Sequence, residues 1–492
     1  MHLALKNYIC RSKNINAMLG YVRNALLCCI CFMCFAVSSA WATRVFGTAK
    51  EYASSELIFY RYQDRITYIK EDVFRLKIDE EGKFEANFGI DRITYIFAEF
   101  GVYYVYFYAE PDGNYELLLP EYIERTEGDL FNSYFEPTEM QLGIKNMKDT
   151  DLNYLIMDFD YYYNRYYDLK LEELYRNGLK SDVDTFINNI NARYKKYDNK
   201  YFQQYRRYRI AALKDLVIKH EYESVLVYSY FSNKEVLYDN PAYMDLFNSI
   251  YHNYFDNYLA SPGGPDLYRV ITYGHSISLL HKLIGSSPKH KQKQFRELVM
   301  LKGLNDAFAN DNLQWLPLLL TLDSLYITTE YPIHQQIAQN IADNSLTMAK
   351  GTVALPFELP DTNGNMMSLE DFRGKYLYLQ FANTQTYSSA AEFDVLQRVY
   401  NRYKGLCLFV TILTDTDKEK AKKFIADKSL NWTFLFAEPN GKVLSDYKIK
   451  AFPTYYLIDP YGMLVMSPAP SPAENFEKYL FKIIENQKKK KK

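Results

Sequence analysis

Cysteine is almost missing from the chain beyond its first 34 residues. Five of the six cysteines stand at positions 10, 28, 29, 31 and 34, and the sixth is Cys407. A lone cysteine can form neither an internal disulfide nor a dithiol redox pair. Cys407 lies in the apolar, strand-like run Leu406–Val410, so we expect it to be a buried small hydrophobe. A reactive or intermolecular thiol is the alternative.

The chain also lacks a strong excess of charge and the common metal and cofactor motifs. A net charge of −2 provides no global field that would attract nucleic acid or an anionic membrane. None of the seven histidines forms a metal-binding pair at helical spacing, and His275 and His281 would lie on different helix faces. Phosphate-binding loops, dinucleotide-binding glycine fingerprints and nucleophile elbows are absent too. We therefore expect no metal, no cofactor and no nucleic-acid partner.

A long hydrophobic run occurs only near the N-terminus. Ala25–Val37 is a run of 13 apolar residues, which is shorter than the ~20 residues that cross a bilayer. Arg23 before this run and Ala40–Ala42 after it match the charged end and the small-residue cleavage site of a secretion signal. We predict a signal peptide over residues 1–42, with Met18 as a possible true start. The mature chain would be a soluble protein of the periplasm or cell envelope without a transmembrane segment.

Tyrosine, in contrast, is abundant, with 48 residues in the chain. A tyrosine ring supplies bulk and keeps one polar atom, so it suits half-buried helix faces and sheet surfaces. Packing is one explanation of this excess, and a tyrosine-lined binding surface is the other. The acidic and aromatic run Asp158–Tyr163 leaves the same choice open, because it could stack on sugars or form one helix face.

Three changes of pattern divide the chain after the signal peptide. Residues 43–128 carry short aromatic and β-branched runs between polar turns, which predicts a small antiparallel β-sandwich. Residues 129–345 repeat apolar and tyrosine positions every three or four residues, including a stripe over Asp182–Leu216 that predicts a helix. Residues 346–487 alternate strands and helices, which predicts an α/β sheet. The five lysines at 488–492 predict a solvated, unstructured tail, with weak contact to anionic lipid or glycan as the alternative.

The last of these domains contains four short motifs in a fixed order. They are Ala354–Leu359 (ALPFEL), Ser368–Lys375 (SLEDFRGK), Ala451–Thr454 (AFPT) and Leu457–Gly462 (LIDPYG). This series resembles the thioredoxin superfamily, in particular its TlpA-like and peroxiredoxin-related (AhpC/TSA-type) envelope branch, with its A-P-x-F-x-L opening, its L-x-D-F-x-G-K turn, its cis-proline loop and the hairpin that follows. Glu81–Phe84 resembles part of the β-domain of multidomain members, and Phe202–Arg209 and Pro241–Phe247 resemble parts of their helical linker. The resemblance implies a multidomain α+β protein with an N-terminal antiparallel β-sandwich, a central all-α region and a C-terminal thioredoxin-like α/β domain.

The sequence departs from this family at the redox motif. Where the family has Cys-x-x-Cys, this chain has Thr386, Tyr387, Ser388 and Ser389, so both cysteine positions carry hydroxyls. A hydroxyl does not ionise near neutral pH and cannot form a mixed disulfide. Gln380 also stands where related proteins keep a buried carboxylate. The redox motif is therefore degenerate, and we expect no catalytic residue there, although the family consists of oxidoreductases.

Two interpretations of the altered motif remain open. In the first, Thr386, Ser388 and Ser389 only cap and pack the following helix. In the second, the segment Phe452, Pro453 and Thr454 still pairs with an extended peptide, because that capacity uses the backbone and needs no sulfur.

Three functions follow as hypotheses. The first is a non-enzymatic protein of the cell envelope that binds an envelope protein or peptide or acts as a scaffold. The second is a TlpA-like thiol–disulfide oxidoreductase that acts with a partner's thiol or uses Cys407. The third is a structural or glycan-associated envelope protein that works through its tyrosine-rich helices.

Overall fold

The computed structural model describes residues 42–490, apart from 127, 130–134, 178–179, 219–222, 311 and 440. The predicted signal peptide lies outside these residues except for its last position, and so do the last two lysines of the predicted tail. Within the described ranges, no helix combines the length and the apolar composition that crossing a bilayer would require.

The N-terminal domain begins with strands whose side chains alternate between a core face and an outer face. Its two sheets have the strand orders β4-β1-β7-β9 and β3-β2-β5-β6-β8. The strands are β1 Ala42–Thr48, β2 Glu56–Tyr62, β3 Lys70–Lys77, β4 Lys83–Gly89, β5 Thr94–Phe100, β6 Tyr103–Ala109, β7 Asn114–Leu118, β8 Thr138–Gln141 and β9 Gly143–Ile144. Most neighbours are antiparallel, but β1 pairs with β7, and β6 with β8, in parallel.

The two sheets pack face to face around one hydrophobic core, as the alternating pattern predicts. Val45 and Leu117 of the first sheet meet Phe59, Ile96 and Phe107 of the second in this core, and all five are fully buried. β8 and β9 extend the sheets to residue 144, so the sandwich continues past the predicted boundary at 128. These strands are short and mostly exposed, which leaves them without a clear alternation in the sequence.

The central region is helical. Its helices are α1 Leu152–Asn177, α2 Lys180–Tyr194, α3 Lys200–Ile218, α4 Glu223–Leu226, α5 Pro241–Ile250, α6 Tyr254–Leu259, α7 Gly264–Arg269, α8 Ile277–Ile284, α9 Lys293–Ala307, α10 Trp315–Thr328 and α11 Pro332–Leu346. The run Asp158–Tyr163 lies within α1, as the helix interpretation expects. Phe159 and Tyr163 of this run face the core.

The single helix expected over Asp182–Leu216 is wrong, because the chain turns between α2 and α3. The side chain of Asn199 accepts a hydrogen bond from the backbone N–H of Phe202 at 3.0 Å. An asparagine in this role satisfies a free donor at a helix start and so begins a new helix. The tyrosine stripe continues across the turn because Tyr194 and Tyr205 are buried in the same core.

The sandwich and the helices share a core. The loop between β2 and β3 places Ile66 into the helical core, and Tyr108 of β6 joins it there. Asn248 of α5 donates to the backbone carbonyl of Arg65 at 2.7 Å, and Asn340 of α11 donates to Asp64 at 2.8 Å. These contacts hold the two regions against each other.

The C-terminal domain has the predicted alternation of strands and helices. A hairpin of β10 Glu358–Pro360 and β11 Met366–Ser368 precedes a sheet of order β14-β13-β12-β15-β16. Its strands are β12 Tyr376–Ala382, β13 Cys407–Leu413, β14 Thr433–Phe436, β15 Thr454–Ile458 and β16 Leu464–Ala469, and its helices are α12 Tyr387–Tyr403, α13 Lys418–Asp427, α14 Lys442–Asp446 and α15 Phe476–Lys490. The predicted fold class is confirmed. Three of the five terminal lysines lie within α15, where an unstructured tail was expected.

Candidate functional site

The four residues of the altered motif lie where the central strand β12 passes into helix α12. Thr386 is the N-cap residue of α12, with φ −80° and ψ 132°. Tyr387 is 90% exposed and Ser388 is exposed, whereas Ser389 is fully buried. The structure therefore places one side of the motif in solvent and one in the protein.

None of the three hydroxyls forms a capping hydrogen bond with α12, so the interpretation of these residues as helix caps is wrong. Thr386 makes no side-chain capping bond, and its hydroxyl donates to the carbonyl of Asn383 at 3.0 Å. The hydroxyl of Ser389 accepts from the N–H of Asn383 at 3.5 Å. Both side chains are turned back to the loop before the helix, which offers nearer partners than the helix amides.

The loop of residues 383–386 is held by polar groups that the sequence patterns do not single out. The carboxylate of Asp415, at the end of β13, accepts from the backbone N–H of Thr384 and from its hydroxyl. The buried amide of Asn383 accepts from the N–H of Gln385 and donates to Thr414. Burial raises the pKa of Asp415 above its ordinary value, while the Thr384 bonds lower it. The adjacency of β12 and β13 brings these groups together, so only the sheet order could have identified them.

The predicted peptide-binding segment lies beside this loop. The Phe452–Pro453 peptide bond is cis, and the hydroxyl of Thr454 donates to the carbonyl of Ala451 at 2.6 Å. The hydroxyl of Ser388 donates to the carbonyl of Phe452 at 2.9 Å. The structure thus joins the altered motif to the proline loop through one exposed hydrogen bond. Among the described residues, no acceptor is bonded to the N–H of Phe452.

Beneath the loop, Gln380 is the centre of a buried chain of hydrogen bonds. Its amide donates to the phenol of Tyr455 at 3.0 Å, and its carbonyl accepts from Thr411 at 2.7 Å. Thr411 in turn accepts from the indole of Trp432 at 2.9 Å, and Tyr455 donates to Glu392 at 2.7 Å. Both polar atoms of Gln380 are therefore bonded, and the group at this position carries no proton to exchange near neutral pH.

Cys407 behaves as the sequence predicts. It is fully buried in β13, and its thiol donates to the carbonyl of Leu408 at 3.3 Å. Burial raises the pKa of Cys407 to about 12. The thiolate needed for disulfide exchange is therefore scarce at this residue near neutral pH.

A buried cluster of histidines in the helical region was also missed, because its members are far apart in the sequence. Glu297 of α9 contacts the Nε2 atom of His281 at 3.4 Å and the Nδ1 atom of His334 at 2.8 Å. Arg296 donates a hydrogen bond to the Nδ1 atom of His281. The phenol of Tyr238 forms a hydrogen bond with the Nε2 atom of His334. Every ring nitrogen has a protein partner, so this cluster is explained as core structure.

Comparison with known proteins concerns the C-terminal domain. The AhpC/TSA family matches residues 351–467. Thiol-disulfide oxidoreductase ResA of Bacillus subtilis is 28% identical over 120 residues, which are 24% of this chain and 66% of that protein. ResA of Bacillus thuringiensis subsp. konkukian is 27% identical over 138 residues, 28% of this chain and 79% of that protein.

Solved structures match the same part of the chain. The thioredoxin domain of a thiol-disulfide oxidoreductase from Bacteroides vulgatus is 29% identical, covers 27% of this chain and 95% of its own, and has a TM-score of 0.25. A thiol:disulfide interchange protein from Bacteroides sp. is 28% identical, covers 27% of this chain and 89% of its own, and has a TM-score of 0.25. The family match and the ResA relatives confirm the resemblance of this domain to TlpA-like members of the thioredoxin superfamily.

Proposed function

We propose that the C-terminal domain is a thioredoxin-type module that binds an extended peptide or protein segment and performs no thiol chemistry of its own. The observation that carries the proposal is the pair Thr386 and Ser389. These hydroxyls occupy the start of α12 beside a cis-proline loop whose backbone arrangement is retained.

The neighbourhood of these residues supports the absence of thiol chemistry. The cysteine of this domain, Cys407, is buried in a strand and its pKa is raised. Gln380 occupies the place of a proton-transferring carboxylate, and its bonds to Thr411 and Tyr455 are complete. A site with neither a thiolate nor a carboxylate at position 380 has lost two groups that serve disulfide exchange.

The backbone at Phe452 supports peptide binding. An added strand gains affinity from main-chain hydrogen bonds, and its specificity comes from side-chain pockets. The N–H of Phe452 is free for such a bond among the described residues, and its carbonyl is held only by the exposed hydroxyl of Ser388. A peptide carrying a backbone N–H could displace this hydroxyl without disturbing the core.

The expected setting of this module is the periplasm or cell envelope. This part of the proposal depends on the predicted signal peptide at residues 1–42 and on the exported character of TlpA-like proteins. The partner would then be another envelope protein.

A phage-displayed library of random peptides tests the binding proposal with the full chain. Enriched peptides should bind the native protein and lose about 10-fold or more in affinity with Ser388→Arg, which places a long charged side chain beside the backbone of Phe452 from an exposed position. Tyr461→Ala, at the opposite end of β15, is the matched control and should bind as the native chain does. Failure to enrich any peptide, or equal affinity for Ser388→Arg, would overturn the proposal.

The names of the ResA relatives favour a second candidate, an oxidoreductase that uses a partner's thiol or Cys407. Reduction of insulin by the purified full chain tests it directly. We expect no turnover above the rate of the reductant alone. Turnover that is lost in Cys407→Ser would establish this second function, and turnover that persists would point to the cysteines near the N-terminus.

A further inference from the structure

A cleft between the β-sandwich and the helices has a volume of about 710 Å³. Small-molecule sites commonly have volumes of ~300–1,000 Å³. Seven tyrosines line this cleft, which we call the tyrosine cleft. They are Tyr62, Tyr68, Tyr95, Tyr104, Tyr106, Tyr108 and Tyr205.

The sandwich wall of the cleft follows from strand alternation. Residues 95 and 97 of β5 and residues 104, 106 and 108 of β6 share one sheet face, because successive side chains point to opposite sides. The rings of Tyr95 and Tyr106 stack with centroids 5.1 Å apart. The helices cover Tyr108, which is buried, but leave Tyr95 and Tyr106 half-buried. The result is an aromatic surface that the other side chains leave partly uncovered.

The loops, strands and helices around the cleft add charged groups of both signs. Arg209 lies 3.5 Å from Asp160, and Arg65 lies 4.0 Å from Asp245. Glu136 and Glu139 line the same cleft, so four carboxylates accompany two arginines. The Asp245 side chain is 61% exposed because it faces the open space of the cleft. A free anion would meet an excess of carboxylates, and a free cation would meet two guanidinium groups.

Two buried polar atoms of the cleft have no hydrogen-bond partner among the described residues. Asp160 Oδ1 and Arg209 Nε face each other as an ion pair at 3.5 Å, without the geometry of a hydrogen bond. Buried polar atoms are normally hydrogen-bonded, so this pair has bonding capacity that a ligand in the cleft could use.

We propose that the tyrosine cleft binds a neutral carbohydrate, a short oligosaccharide that stacks on the tyrosine rings and bonds the charged side chains through its hydroxyls. The C–H faces of a sugar ring are apolar and fit against the face of an aromatic ring. Its hydroxyls both donate and accept, so one ligand can satisfy carboxylates, guanidinium groups and phenols together. Its lack of net charge suits a cleft that disfavours free ions of either sign.

Isothermal titration of the full chain with maltotriose, cellotriose, xylotriose and chitotriose tests this proposal. We expect at least one trisaccharide to bind with a Kd of about 1 mM or below. Tyr106→Phe, which removes one phenol, and Asp245→Asn should each weaken that binding by about 5-fold or more. Tyr161→Ala removes an exposed tyrosine outside the cleft and should leave the affinity unchanged.

The proposal is overturned if none of the four sugars binds, or if Tyr106→Phe and Asp245→Asn bind as the native chain does. Binding of a neutral tripeptide in place of every sugar would also overturn it. Ser388→Arg should retain sugar binding, which separates this cleft from the peptide site of the C-terminal domain.

Discussion

The Gln380 network and the tyrosine cleft are both made of tyrosines and polar side chains, yet they differ in how these groups are satisfied. Around Gln380, every bond from Trp432 through Tyr455 to Glu392 is made within the protein. In the cleft, Asp160 Oδ1 and Arg209 Nε have no hydrogen-bond partner among the described residues, and the Asp245 side chain is exposed. A network closed on itself stabilises a fold, whereas polar groups left open toward a cavity are available to a ligand.

The largest expected effect comes from restoring the dithiol at the start of α12. The double substitution Thr386→Cys with Ser389→Cys should raise insulin reduction by at least about 10-fold over the native chain, because a helix start favours a thiolate. The single substitution Thr386→Cys is the control and should lack this gain, since no second thiol resolves the mixed disulfide. A folded double variant without activity would show that two thiols are not sufficient and that the carboxylate missing at Gln380 is also required.

Opening the closed network should cost stability. Gln380→Leu keeps the volume but leaves the hydroxyl of Thr411 without its acceptor, which should lower the free energy of unfolding by about 2 kcal/mol. Urea unfolding followed by tryptophan fluorescence, to which Trp432 beside Thr411 contributes, measures this change. Gln385→Leu, an exposed position in the same domain, should change it by less than about 0.5 kcal/mol. Equal effects of the two substitutions would show that the network is not a stabilising unit.

Removing the bond between the altered motif and the proline loop should have a smaller effect. Ser388→Ala frees the carbonyl of Phe452, so peptides enriched from the library should bind about 5-fold more tightly. The bond is exposed, and its loss should cost at most about 1 kcal/mol of stability. Ser445→Ala removes a similar exposed hydroxyl, bonded to Lys442, and should leave peptide affinity unchanged. Weaker binding by Ser388→Ala would mean that the hydroxyl itself contacts the peptide.

The smallest effect concerns the charge of the cleft. Burial, together with repulsion from Asp245, raises the pKa of Glu139 above its ordinary value. The unfolded chain ionises first as the pH rises, so this carboxylate lowers stability above its unfolded pKa of ~4.3. Glu139→Gln should therefore raise the melting temperature slightly at pH 7, by the equivalent of less than about 0.5 kcal/mol because solvent screens the charge.

The pH dependence of this last change is its control. At pH 3 the carboxyl group is protonated in both states, so Glu139→Gln and the native chain should melt at the same temperature. A difference that persists at pH 3 would assign the effect to lost packing and would remove the electrostatic explanation.

Local patterns were enough to predict the elements with clear periodicity. The strands β4 and β6 lie in the region predicted to form a β-sandwich, and β12 and β15 in the region predicted to form an α/β sheet, because each has a strong alternation or a continuous buried run. The short edge strands β8 and β9 escaped prediction since neither buries a regular face. The turn between α2 and α3 escaped for a different reason, because tyrosines continue the stripe on both sides of Asn199.

For the candidate site, the sequence by itself determined which chemistry is available. Hydroxyls at 386 and 389, a proline at 453 and a single cysteine after position 34 are facts of composition and order. No fold can turn a threonine hydroxyl into a thiolate, so these residues limit the function in any conformation.

Only the tertiary structure decided which side chains meet. Asp415 reaches Thr384 because β12 and β13 are neighbours, and Ser388 reaches Phe452 across 64 positions of sequence. The tyrosine cleft likewise combines Arg65 of a β-hairpin loop with Asp245 of a helix. Such contacts depend on chain crossings that local periodicity does not encode. The same excess of tyrosine could therefore have served packing alone. In this protein, the packing of the sandwich against the helices leaves part of the tyrosines lining an open cleft.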